Sequence, residues 1–195
     1  MAGKRDPAGT GGTPERASDP VPPDTRASIL RRAHDLFARQ GYRGTSVRQL
    51  TSELGLTPAA LYYHFTGKEE VLVGVLAPME RDGEAIIARM AELERTPEAF
   101  REVFNRYFDL LARDIAMFRF VANDLDVQRS VVGQRLRGQA RDLFAWLTGS
   151  SSEVTDRIRA AAAVGTIRLS LEQASADPDA YRDAIIGRAL QIMTD

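Results

Sequence analysis

From Thr25 to the C-terminus, apolar residues recur at intervals of three and four, and no stretch alternates apolar with polar as a half-buried strand would. That regularity restricts the chain to an all-α fold. Its segments are marked by helix-start signals. Ser46 precedes Gln49 by three residues, as Thr66 precedes Glu69 and Ser150 precedes Glu153. At this spacing a hydroxyl caps the helix and the later side chain caps it back. Thr57-Pro58, Thr96-Pro97 and Asp177-Pro178 each join a cap to a proline in the first turn, where a missing N–H costs nothing. These signals divide the chain into about nine helices.

The first helix buries Ile29, Leu30, Ala33, Leu36 and Phe37 and ends near Gly41. A short second helix carries Val47, Leu50 and Leu54 and closes at Gly55, where the turn calls for a residue at ease with positive φ. The fourth runs to about Leu93 through Pro78, which removes a hydrogen bond to the Gly74 carbonyl and predicts a kink or break. The next presents Phe100, Val103, Phe104, Tyr107, Phe108 and Leu111 on one face. A short helix follows over Ile115 to Asn123, then a longer one with Val132, Leu136, Ala140, Leu143, Phe144 and Leu147. The last carries Tyr181, Ile185, Ala189, Leu190 and Met193.

Residues 1–24 hold almost no large apolar side chain, so burial cannot offset the entropy of ordering them, and a disordered tail is expected. Gly9-Thr10-Gly11-Gly12 within it lacks the strand and helix that would make it a phosphate loop. The remaining residues divide into 25–70, a helix-turn-helix unit, and 71–195, a larger helical unit. The charge divides similarly. The net charge is −1, yet residues 25–68 carry seven basic side chains against two acidic ones, and residues 69–195 carry sixteen against twenty-one. A basic segment joined to an acidic one suggests a polyanion contact confined to the first.

No cysteine is present, which excludes disulfides, thiolate metal sites and cysteine nucleophiles. No uncharged run is long enough for a membrane span and no apolar signal core opens the chain, so a cytoplasmic protein without membrane contact is expected. The histidines are His34 and His64 alone, too few for the common metal sites. There is no Gly-x-Ser-x-Gly elbow, and Asp124 and Asp126 are two apart, a spacing that points them in different directions on a helix. Neither an enzyme nor a cofactor or metal is expected.

Ser46 to Phe65 has the layout of two short helices about a glycine turn, with Leu50, Leu56 and Leu61 as the small core beneath it. Thr51 occupies the close-packed position of the first helix, where its hydroxyl can bond back to the Val47 carbonyl. Tyr42-Arg43-Gly44-Thr45-Ser46-Val47-Arg48, the Gly55 turn and Leu61-Tyr62-Tyr63-His64-Phe65-Thr66-Gly67-Lys68-Glu69 resemble the DNA-binding domain of the TetR (tetracycline repressor) family, over roughly residues 25–72.

The resemblance implies a homodimer whose third helices enter successive major grooves of a palindromic operator on double-stranded DNA. Tyr62 and His64 then donate to phosphates, Lys68 adds charge near a helix N-terminus, and Thr45, Ser46 and Thr57 line the same rim. By correspondence with the family, Arg48, Ala59, Ala60 and Tyr63 are candidates for base contact. Arg48 suits a guanine edge and the two alanines a thymine methyl. Pro58 stands where relatives often carry a lysine, which removes one readout group. The competing readings are a solvated Arg48, a His64 that caps a helix, and a Lys68 paired along the fourth helix. Phe65 is read as core.

The resemblance also implies a pocket for a small-molecule effector, largely apolar or aromatic. Phe104, Phe108, Phe118, Asn123, Trp146 and Thr166 are its candidate lining. The last two helices are the expected dimer interface, with Ala160 to Gly165 allowing close approach. Arg168 interrupts that face and needs a carboxylate, either Glu172 or one across the dimer. Effector binding is expected to act through a hinge at Pro78, Gly74 and Gly83 on the spacing of the third helices. A repressor released by its ligand, an activator and a corepressor-dependent regulator share this reading head.

Overall fold

The computed structural model describes residues 24–173 and 177–194. The expected disordered tail, apart from Asp24, and the glycine-rich Gly9–Gly12 segment lie outside them. Ten α-helices follow in order among the described residues: α1 Thr25–Gly44, α2 Val47–Glu53, α3 Pro58–His64, α4 Lys68–Met90, α5 Pro97–Arg113, α6 Ile115–Asn123, α7 Leu125–Arg129, α8 Val131–Thr148, α9 Val154–Gln173 and α10 Arg182–Thr194. A 3-10 turn, Pro178–Tyr181, leads into α10. The count exceeds the expected nine because α7 stands apart. The Asp124 carboxylate accepts from the N–H groups of Asp126 and Val127 to start it, and the Ser130 hydroxyl accepts from Gly133 to start α8.

Most of the expected punctuation is present. Gly41 leaves helical geometry at φ 76° and bends the end of α1, and Gly55 makes the turn at φ 66°. Ser46, Thr57 and Thr96 each accept from the N–H three residues on. All three boxes differ from expectation, since the Gln49 amide bonds to Gln40 and Glu53 and does not reach back to Ser46. At α4 the N-cap is Gly67, and it is Glu70, not Glu69, that reaches back to the Thr66 N–H at 2.6 Å. That bond holds the Glu70 carboxyl below its usual pKa. Ser150 does not cap α9. It follows Gly149, the left-handed C-cap of α8, and is itself left-handed at φ 60°, while the Ser151 hydroxyl accepts from Glu153.

Pro78 does not break α4, which continues as one helix to Met90. A Cβ on Gly74 would lie 2.7 Å from Leu30, and one on Gly83 would lie 2.1 Å from Gln139, so both are sites of close packing.

Two cores result. One joins α5, α8, α9, α10 and the end of α4 around Phe104, Phe108, Leu111, Leu147 and Ile167. The other holds Ile29, Phe37, Leu50, Leu61, Phe65 and Leu72, and reaches beyond α1–α4 to Met117 and Phe120 of α6, Val127 of α7 and Val132 of α8. Phe37 stacks on Phe120 with centroids 5.6 Å apart and planes 5° from parallel.

Polar contacts follow the same seam. The Asp124 carboxylate accepts from the Tyr42 N–H at 2.8 Å, Asp126 pairs with Arg43, and Asp114 at the α5–α6 junction pairs with His34. Burial disfavours the His34 imidazolium, but its bonds to Asp114 and Asp35 and the charges of both outweigh that, so its pKa is raised. A pKa raised on folding adds stability that is complete below the unfolded value, about pH 6.5, and is lost as pH rises through the higher folded value. His34→Gln should therefore lower Tm more at pH 6 than at pH 8.5. A Tm difference that grows with pH would contradict this assignment.

Candidate DNA-binding interface and effector cavity

The turn between α2 and α3 is held from within. The Thr51 hydroxyl bonds to the carbonyls of Val47 and Arg48, both at 3.1 Å, and the Leu56 N–H closes on the Thr51 carbonyl at 2.8 Å. Leu50, Leu61 and Phe65 are buried beneath it, and Leu56 is half-buried. What remains outside is a polar and aromatic face. Tyr62 is 56% exposed and Tyr63 78% exposed, and neither side chain has a hydrogen-bond partner among the described residues. Ser46, Arg48, Thr57, Pro58 and Ala59 are exposed around them, and Ala60 is half-buried. Two adjacent exposed tyrosines present apolar rings and free hydroxyls together, a combination enriched at surfaces that a partner covers.

Three residues expected on this rim are placed differently. Thr45 is fully buried, and its hydroxyl donates to the Gly41 carbonyl at 3.0 Å. The Lys68 ammonium bonds to the carbonyls of Tyr42 and Thr45, both at 2.9 Å, and lies 4.0 Å over the Tyr42 ring. It thus satisfies the orphan carbonyls at the end of α1 and ties α4 to it. Burial pushes its pKa down, against the pull of Asp126 and Asp124. His64 is half-buried with its Nε2 enclosed and unbonded, so that nitrogen is not open to a phosphate.

The second feature is a half-open cavity of about 370 Å³ lined by α4, α5, α6, α7, α8 and α9. Its wall is mostly apolar, with Met79, Ile86, Leu110, Phe118, Val121 and Leu143 among the lining. This is the small end of the range for ligand sites, roughly 300–1,000 Å³. Tyr107 also lines it, and burial pushes its phenol up to about 12, against the opposing effect of Arg168. The hydroxyl therefore keeps its proton.

A profile for bacterial regulatory proteins of the tetR family matches residues 29–75, the segment that builds the turn and its exposed face. TtgW, an uncharacterized HTH-type transcriptional regulator of Pseudomonas putida, is 31% identical over 90 residues, covering 39% of this chain and 67% of TtgW. The chain belongs to the TetR family of bacterial regulators. The matched segment, residues 29–75, holds the helix-turn-helix described above. TcmR of Streptomyces glaucescens is 34% identical over 92 residues, covering 44% of this chain and 39% of TcmR. The chain spans less than half the length of several curated relatives it matches. The structure of FadR from Bacillus subtilis in complex with stearoyl-CoA shares the fold, with a TM-score of 0.58 at 18% identity, covering 84% of this chain and 97% of that one.

In this TetR-family chain, one of the six expected pocket residues, Phe118, lines the cavity. Phe104 and Phe108 are fully buried in the core, because the α5 stripe they belong to faces α9 and α10, and the cavity opens on the stripe's edge at Tyr107 and Leu110. Trp146 packs edge-on against Phe100, with centroids 5.4 Å apart. Asn123 lies on the far side of α6 and donates to the Arg119 carbonyl. Thr166 bonds to the Ala162 carbonyl and lines a shallow outer groove with Leu169 and Tyr181. Arg168 takes no carboxylate partner among the described residues and lines the cavity. Asp124 and Asp126, whose spacing spoke against catalysis, join the reading head to the rest of the molecule. The signal for this role in the sequence is Asp124 as a helix cap at the head of Leu125–Arg129.

Proposed function

We propose that the protein is a homodimeric repressor that binds a palindromic operator through α3 and is released by a small, largely apolar effector. The observation that carries this is the double role of α6. Phe118 and Val121 line the cavity, while Met117 and Phe120 of the same helix pack into the core of the reading head. An effector that displaces one face of a nine-residue helix must move the other, because packed side chains do not deform independently. The Asp124–Tyr42 and Asp126–Arg43 contacts would carry that movement into the end of α1. This replaces a hinge at Pro78 as the route.

The working division is residues 25–70 for reading and 71–195 for sensing and dimerisation. Ser46, Arg48, Thr57, Ala59, Ala60, Tyr62 and Tyr63 form the proposed DNA face, with Pro58 setting the start of α3. Two such faces should lie ~34–36 Å apart on bound DNA, and a few ångströms of misfit would lose the second half-site.

The dimer reading is supported by an outer stripe on α9. Val154, Ile158 and Leu169, together with Tyr181 before α10, are all more than half exposed, and Gly165 between them has open space around it. A second copy covering this face would form a four-helix bundle. Ile158→Glu with Leu169→Glu should yield a monomer in sedimentation and weaken operator binding together. A retained dimer mass would place the interface elsewhere. The regulatory sign is tested by a reporter promoter carrying the operator, where expression of the protein should lower transcription. Raised transcription would instead support an activator.

A further inference from the structure

Five polar side chains line the cavity: Tyr107, Gln128, Arg137, Gln139 and Arg168. The glutamines are occupied. Gln128 donates to the Ala122 carbonyl at 2.6 Å and Gln139 to the Glu80 carbonyl at 3.0 Å. The other three have no hydrogen bond or ion pair among the described residues. All three are donors, and no aspartate or glutamate shares the lining. Elsewhere in the same unit Arg89 and Arg106 pair with Glu102, Arg113 with Asp82 and Arg135 with Glu80, while Arg81, Arg101, Arg129 and Arg157 also lack a carboxylate among the described residues; Arg137 and Arg168 differ from these in lining an apolar cavity. Two unpaired guanidiniums at the exposed edge of an apolar cavity therefore form an anion-receiving end without its anion. The outer groove of α8 strengthens it, since it shares Arg137 with the cavity and adds Arg141.

We infer that the effector is an amphipathic anion. Its apolar body lies against Met79, Ile86 and Leu143, and its carboxylate or other oxyanion is held at the mouth by Arg168 and Arg137, with the Tyr107 hydroxyl donating. This rests on the reading of the cavity as the effector site. The planar guanidinium fork matches an oxyanion in two parallel bonds, and a neutral ligand of the same shape leaves both guanidiniums to water and gains neither bond.

Isothermal titration of the full chain with decanoate, decyl phosphate and decan-1-ol tests it. At least one anion should bind roughly tenfold or more tightly than the alcohol, as a charge-assisted bond would give. Arg168→Gln should remove most of that preference and leave alcohol binding unchanged. Which anion binds better identifies the head group. Ala140→Trp, at an exposed position of the cavity wall, should abolish binding of all three. Equal binding of alcohol and anions, unaffected by Arg168→Gln, overturns the anionic effector and leaves the cavity reading standing. Anion binding that survives Ala140→Trp assigns it to surface arginines and overturns the inference. If a folded protein binds none of the three, the cavity reading fails and the inference falls with it.

Discussion

Replacing Tyr62 and Tyr63 together with alanine should lower operator affinity by roughly a hundredfold, the loss expected from two interface side chains worth about 1–2 kcal/mol each. Stability should hardly change. Both rings are more than half exposed and neither belongs to the core under the turn, so the substitution should change the unfolding free energy by no more than a surface change does, about 0.5 kcal/mol. Fluorescence anisotropy on an operator duplex, with circular dichroism melting on the same sample, reads both quantities. The combination distinguishes contact from packing. Lost affinity with an unchanged melt assigns the tyrosines to the DNA face, whereas a large fall in Tm would make them structural. Unchanged affinity would remove α3 from the interface.

Phe37→Ala should do the reverse. Phe37 is fully buried, stacks on Phe120 and belongs to the core shared by α1, α4 and α6. Truncating such a ring costs about 3–5 kcal/mol, and for a chain of this size that lowers Tm by roughly 10 °C. Because the ring joins the reading head to α6, the same change should also weaken the response of DNA binding to effector. A Tm within about 2 °C of the parent protein would show that the site collapses around the lost ring and that the seam is not a packed core.

The reading head was legible in the sequence because its requirements are local. A hydroxyl at Ser46 or Thr57, a positive φ at Gly55 and small volume at Thr51 are each set within a few residues. The cavity was not legible, because helical periodicity tells which face of α5 is buried without telling what faces it. Phe104 and Phe108 meet α9 and α10, while Tyr107 and Leu110, one residue before and two after Phe108, meet open space. Thr45 and Lys68 misled for a related reason. A threonine and a lysine beside a DNA-reading turn look available, and only the folded chain shows them bonded to the end of α1. At Pro78 the helix is not interrupted, because α4 runs on to Met90 through the one missing hydrogen bond.

Repression of this kind depends first on sequence-specific binding by a dimer. Selection of random duplex DNA on the full chain, followed by sequencing of the enriched pool, tests it most directly. The enriched pool should hold a palindrome whose half-sites are centred about one helical turn apart, ~10–10.5 base pairs or a multiple. Affinity for it should fall steeply as salt rises. A folded sample that enriches no sequence, or a single half-site without its mirror image, would contradict it.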